Sequence, residues 1–141
     1  MISYKDILNV ITTKLIKEFR IEINSNDVKE GFKRPSFFVD FDNVRRSSTE
    51  EQIERGLTIR IYYFPSDRNK NEVELLDVQE ELESLFELKL GVFDRSFNII
   101  ETFSEVTDGV LNFSFDIEYF EGKEIEEAEP MENLEFNNEN N

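Results

Sequence analysis

Residues Leu57 to Phe64 alternate without a break. Leu57, Ile59, Ile61 and Tyr63 share one face, Thr58, Arg60, Tyr62 and Phe64 the other, and Pro65 ends the run. A two-residue period with β-branched and aromatic side chains on both faces is a strand, and an apolar face that regular needs a layer packed on it. A second alternation lies upstream, over Ser36 to Val44, where Phe37, Val39 and Phe41 interleave with Phe38, Asp40 and Asp42. The two strands are expected to pair antiparallel, joined by a polar excursion, Asn43 to Gln52, that is mobile when the subunit is alone.

The covering layer is supplied by two segments with a helical period. Ile7, Leu8, Ile11, Leu15, Ile16 and Phe19 recur at three- and four-residue steps, which predicts a helix over about 4–19. Ser3 and Asp6 stand in capping-box positions, and Lys14, Lys17 and Arg20 suit the helix C-terminus. A second helix is expected over about 72–88, with Asn71 as cap. Its buried side would be Leu75, Leu76, Gln79, Leu82, Leu85 and Phe86, and Glu80, Glu81, Glu83 and Glu87 would face water. Between the first helix and the strands come a short extended piece at Ile21 to Ile23 and a polar stretch, Asn24 to Asp27.

Two more strands are expected near 95–105 and 110–120. A two-residue turn at Asp108-Gly109 would set Glu101 against Asp116 and Phe103 against Ser114. A three-residue loop, Thr107-Asp108-Gly109, sets Phe103 against Phe113, Ile99 against Ile117 and Phe97 against Tyr119, so the longer loop is the expectation. It leaves Glu101 beside Phe115, an exception that needs a partner. The fold class that results is α+β: one antiparallel or mixed sheet with two helices packed on one face, in the order α-β-β-β-α-β-β.

The 141 residues suit one domain. With 32 acids against 16 bases the formal charge is -16. Glu121 and the seven acids after it, against Lys123, account for -7 of that charge, leaving -9 on residues 1–120. The folded domain is therefore expected over 1–120, followed by an acidic, disordered C-terminal segment over 121–141. No apolar run approaches a membrane span and the start of the chain lacks a signal-peptide core, so a soluble, intracellular protein is expected.

The chain has no Cys and no His. Thiolate and imidazole catalysis, Cys/His zinc sites and disulfides are excluded. The glycines, at 31, 56, 91, 109 and 122, form no phosphate loop. Glu87-Leu88-Lys89 matches half of a nuclease Glu-x-Lys motif, but on a helix end where that chemistry needs a strand, and no spacing supports a Ser-Lys dyad. Asp40 and Asp42 share one strand face and are the only arrangement that resembles a catalytic centre, a divalent-metal phosphodiesterase. The structural alternative pairs them across the sheet with Arg60 or Arg55. No cofactor and no resident metal are expected.

Arg45 and Arg46, with Lys33 and Arg34 nearby in sequence, are the one basic cluster. It is too small for broad phosphate neutralisation and fits a protein contact or a solvated loop. Fourteen Phe and four Tyr exceed what one buried sheet face needs. The surplus, Phe38, Tyr62 and Phe64, either forms a subunit or partner interface with Arg45 and Arg46, or lies under loops of the same subunit. A homo-oligomer is predicted.

The segment Glu30-Gly31-Phe32-Lys33-Arg34-Pro35-Ser36-Phe37-Phe38-Val39, the strand ending Ile59-Arg60-Ile61-Tyr62-Tyr63-Phe64, the acidic second helix and the closing strand with Phe113 and Phe115 together resemble the tail terminator proteins of tailed phages and of phage-tail-like particles from low-GC Gram-positive bacteria. The resemblance covers about residues 1–120 and carries no catalytic signature. It implies a structural protein of the virion tail or neck, assembled in the bacterial host cytoplasm as a hexameric ring on the head-proximal end of the tail tube. Its partners would be other copies of itself, the tail tube protein, the head connector or neck protein and, in contractile tails, the sheath protein. Another head-tail joining or tail completion protein is the alternative within the same class. Ring closure needs two different patches on each subunit. DNA would pass through without specific binding, and Glu80, Glu81 and Glu83 are the candidate lumen acids that repel it.

Overall fold

A computed structural model describes residues 2–24 and 33–122. The stretches 25–32 and 123–141, which include most of the polar segment after the first helix, Glu30 to Phe32 and nearly all of the acidic C-terminal segment, lie outside the described residues.

Helix α1 spans Tyr4–Phe19. Ser3 Oγ accepts the Asp6 N–H at 3.1 Å and Asp6 Oδ2 accepts the Ser3 N–H at 2.9 Å, a reciprocal capping box that satisfies two helix-end donors. Ile7, Ile11 and Leu15 are fully buried, whereas Ile16, on the margin of the same stripe, is half exposed. The helix stops at Arg20, which takes a left-handed conformation and donates its N–H to the Ile16 carbonyl.

Strands β1 (Glu22–Asn24), β2 (Ser36–Ser48) and β3 (Gln52–Phe64) follow. Helix α2 spans Glu72–Leu85 and ends earlier than expected, because Phe86 turns into the core and Leu88 has a positive φ of 68°. Next come β4 (Lys89–Val92), β5 (Arg95–Asn98), β6 (Thr102–Thr107) and β7 (Val110–Gly122). The main sheet is mixed, ordered β1-β2-β3-β7-β6, with only β1 and β2 parallel. This is the expected α+β order, with the hairpin β4-β5 added as a small second sheet. The core lies between the helices and the face bearing Phe37, Leu57, Ile59, Ile61, Phe113, Phe115 and Ile117.

Three expectations are corrected. The polar stretch Asn43 to Gln52 is not a loose excursion. The β2–β3 ladder passes through a bulge between Asp42 and Arg45 and continues to Ser48 opposite Ile53. The turn is tied by the Thr49 N–H to the Gln52 carbonyl at 2.9 Å. The apolar alternation fades there because this part of β2 is an exposed edge, not because the strand ends.

The expected strand over 95–105 is two strands. Phe97 pairs with Leu90 in the small sheet and meets Tyr119 as a ring stack at 4.6 Å rather than as a strand neighbour.

The turn between β6 and β7 is the two-residue Asp108-Gly109, with Thr107 opposite Val110 and Phe103 opposite Ser114. The objection to that register disappears because β6 begins at Thr102, so Glu101 is never laddered against Asp116 and is simply exposed. Both turn residues have positive φ, 53° and 76°, the requirement of a type I′ turn. Gly109→Ala is expected to lower stability by about 1 kcal/mol through that backbone conformation, measurable as a shift in the urea midpoint at unchanged slope.

Candidate functional site

The sheet face turned away from the helices carries a charged ladder. Arg60 Nε lies 3.1 Å from Asp42 Oδ2, Thr58 donates its hydroxyl proton to Asp116, and Asn43 Nδ2 donates to the Thr58 hydroxyl oxygen at 3.3 Å. Arg45 stands opposite Gly56 and crosses it to reach Glu118 on β7, 2.9 Å away. A Cβ at Gly56 would come within 2.8 Å of that guanidinium, so the missing side chain is what opens the crossing. These links stitch β2, β3 and β7 together across the open face.

Asp40 and Asp42 each turn one carboxylate oxygen onto the backbone. Asp40 Oδ1 accepts the Phe41 N–H at 3.0 Å and Asp42 Oδ1 accepts the Asn43 N–H at 2.9 Å. The Asn43 N–H, and after it Arg60, hold the Asp42 carboxyl below its ordinary value. Beyond Phe38, β2 has no outer neighbour among the described residues. Carboxylates that occupy backbone donors, together with a bulge, blunt a bare edge against stray strand pairing. Of the two partners expected for this pair, Arg60 is the one observed. Arg55 instead lies on the core face beside Glu121. Among the described residues no group of three or more acids is arranged to hold a metal ion.

The basic cluster drawn from sequence separates in space. Arg34 precedes the start of β2, and Arg45 and Arg46 sit near its far end, roughly 30 Å along an extended strand. Arg46 is exposed, while Arg34 donates Nη1–H to the Pro65 carbonyl at 3.1 Å and stacks on the Phe64 ring at 5.9 Å. Phe64 is buried beneath it. Phe38 and Tyr62 are half-buried neighbours on the open face, ring centroids 5.9 Å apart. Glu80, Glu81 and Glu83 all lie on the solvent side of α2. Glu80 and Glu81 line an open acidic groove of about 640 Å³ with Glu18, Asp77 and Ser84.

Two further polar nodes escaped the sequence reading. Glu74 stands in the capping position three residues after Asn71, yet its carboxylate reaches out of the helix to accept from the Tyr63 hydroxyl and from both the N–H and hydroxyl of Ser66, at 2.9 Å each for the latter two. Burial alone would raise the Glu74 carboxyl, but these hydrogen bonds outweigh it and the net shift is downward. Burial, then the bond to Glu74, pushes the Tyr63 phenol up.

A carboxyl held below its unfolded value of 4.5 stabilises the fold fully above that value and stops doing so as the pH falls through the folded value. Glu74→Gln is therefore expected to cost about 1 to 2 kcal/mol at pH 7 through the lost hydrogen bonds, and the gap from the parent protein should narrow as the pH falls below 4.5 in urea titrations. The second node centres on Glu121, treated in sequence as the start of the acidic segment. It is the penultimate residue of β7, and it is buried.

The site is thus a set of surfaces: a blunted edge, a laddered open face and an acidic helix layer. A family model described as phage tail terminator protein matches residues 6–129, most of the chain. The chain belongs to the phage tail terminator family. No curated protein matches it. Membership gives it a role in phage tail assembly and completion, in a family of structural proteins, and associates it with other tail and head proteins of the virion. The tail terminator match runs past Gly122, so strand β7 with Glu121 lies inside the family's extent. No helix among the described residues is long and apolar enough to cross a membrane.

Proposed function

We propose that copies of this chain close into a hexameric ring on the head-proximal end of the tail tube, end tube polymerisation and offer the upper surface to the head connector. The observation that carries this reading is the family match over residues 6–129. The surfaces support it. Phe38 and Tyr62 on the open face, with Arg45 and Arg46 toward the far end of β2, provide aromatic and cationic contact groups of the kind interfaces use. Phe64 contributes from beneath, as the platform under Arg34. Glu80, Glu81 and Glu83 face the lumen in this reading, where their charge keeps DNA phosphates from adhering as the duplex slides past.

Negative-stain microscopy and sedimentation of the purified chain test the ring: sixfold annuli are expected. A uniform monomer, together with tubes of normal length in cells lacking the gene, overturns the reading. In the assembled ring, Glu80→Lys combined with Glu81→Lys and Glu83→Lys is expected to leave the annulus intact and to make it retain DNA at low salt. Unchanged passage would place these acids on the outer wall.

A further inference from the structure

Along the outer flank of α1 runs a groove of about 380 Å³, floored by Val10 and Thr13, walled by Lys14 and Lys17 and closed by Phe93 at the tip of the β4-β5 hairpin. Phe93 is 75% exposed and has a φ of 57°, a conformation that bulky residues rarely adopt. The hairpin turn thus holds an aromatic ring in the open beside two lysines, whose methylene stems extend the apolar floor. Asp6, at the near end, has its carboxylate turned to the Ser3 N–H. The groove is apolar with a cationic wall, and an occupant that matches it is apolar and acidic.

The chain itself carries such a segment close by. Strand β7 ends at Gly122, and the preceding residue, Glu121, accepts the Ile2 N–H at 2.8 Å, so the chain leaves the sheet at the N-terminal end of α1. Arg95 donates Nη2–H to the Phe120 carbonyl at 2.8 Å, which fastens the hairpin that bears Phe93 to the same exit point. Beyond Gly122 the sequence has seven acids and one base, and within it Met131, Leu134 and Phe136 are interleaved with Glu132 and Glu135. The seven residue steps from Gly122 to Glu129 reach up to about 24 Å. The groove, from Asp6 to Lys17, is about 17 Å of helix.

We propose that residues 129–136 of the same chain dock in this groove, with Met131, Leu134 and Phe136 on Val10 and Phe93 and with Glu132 and Glu135 against Lys14 and Lys17. The family match stops at residue 129, so all of the docking segment after its first residue lies outside the matched extent. The assignment does not depend on the ring. It makes the flank of α1 a surface that is covered until a competitor displaces the segment, and the contact weakens with salt because half of it is exposed ion pairing.

The absence of cysteine makes the test clean. In the full chain, a nitroxide attached at Leu134→Cys is expected to broaden the amide resonances of Thr13, Lys14, Lys17 and Phe93 selectively, leaving β6 sharp. Tenfold dilution into unlabelled chain should not change the pattern. Lys14→Glu with Lys17→Glu should abolish the broadening, and adding Glu132→Lys with Glu135→Lys should restore it. Oxidation of a Thr13→Cys, Leu134→Cys pair should give an intramolecular disulfide in the monomer, a readout independent of the spin label. Uniform broadening, or broadening that the charge reversal leaves untouched, overturns the proposal. Broadening lost on dilution also overturns it, by assigning the groove to the segment of a neighbouring copy.

Discussion

Glu121→Ala is expected to lower the unfolding free energy by about 3 kcal/mol, because it removes a buried carboxylate from a cluster of two arginines and a backbone donor. Its carboxylate accepts the Ile2 N–H and lies 3.8 Å from Arg55 Nε and 3.9 Å from Arg95 Nη1. The Arg55 and Glu121 side chains are only 11% and 6% exposed, so water cannot take over. The arginines are also held by rings: Arg55 over Tyr4 at 5.1 Å, and Arg95 over Phe97 and Tyr119 at 5.4 and 5.6 Å. These contacts fix the guanidinium groups in place and do not neutralise them. The Ala variant therefore removes the Glu121 carboxylate from beside the enclosed Arg55, and releases the Ile2 N–H at the start of α1 from the end of β7.

Replacing both members, Arg55→Leu with Glu121→Leu, should recover most of the loss, since a buried pair is often matched by apolar side chains of similar volume. The check is a double-mutant cycle by urea denaturation. A single-variant cost below about 0.5 kcal/mol would show that the cluster contributes nothing beyond packing.

That cluster also marks where sequence stops being informative. Helix α1 was legible from its capping box and its period, both local properties of consecutive residues. Of strand β3, the run Leu57 to Phe64 was legible because its two faces alternate without a break, whereas Gln52 to Gly56, polar but for Ile53, was not. Glu121, by contrast, has the same chemistry as the acids that follow it in sequence, and only the register of β7 against β3, which sets it opposite Ile53 on the core face, distinguishes it.

The surface sites have the same origin. Arg45 reaches Glu118 because a one-residue bulge brings it opposite Gly56, and no periodicity announces a bulge. Arg34 and Arg45 look like neighbours in a list of basic residues, but the strand between them carries them to opposite ends of the sheet. The Asp40 and Asp42 spacing was visible, and so was their pairing with arginine. Their attachment to backbone donors at an edge was not, since which strand is an edge is a property of the whole sheet.

Phe86→Ala is expected to be the costliest single truncation, about 3 to 5 kcal/mol. The ring is fully buried at the C-terminal cap of α2 and contacts Phe113 and Phe115, with centroids at 6.1 and 5.1 Å. It joins the helix to strand β7, so its loss opens a cavity between α2 and the sheet that close packing does not readily fill.

The contrast with Leu76 makes the test specific. The periodic reading put Leu76 on the buried side of α2. In the structure the buried line runs Leu75, Val78, Leu82 and Phe86, and Leu76 is 61% exposed. Leu75, Leu82 and Phe86 keep their expected places and Val78 joins them, while Gln79 and Leu85 are only partly buried. Leu76→Ala should accordingly stay within about 0.5 kcal/mol of the parent protein, whereas Val78→Ala should cost more than that. Equal losses at Leu76 and Phe86 in urea denaturation would mean that α2 is rotated from the arrangement described, and would restore the face that simple periodicity predicts.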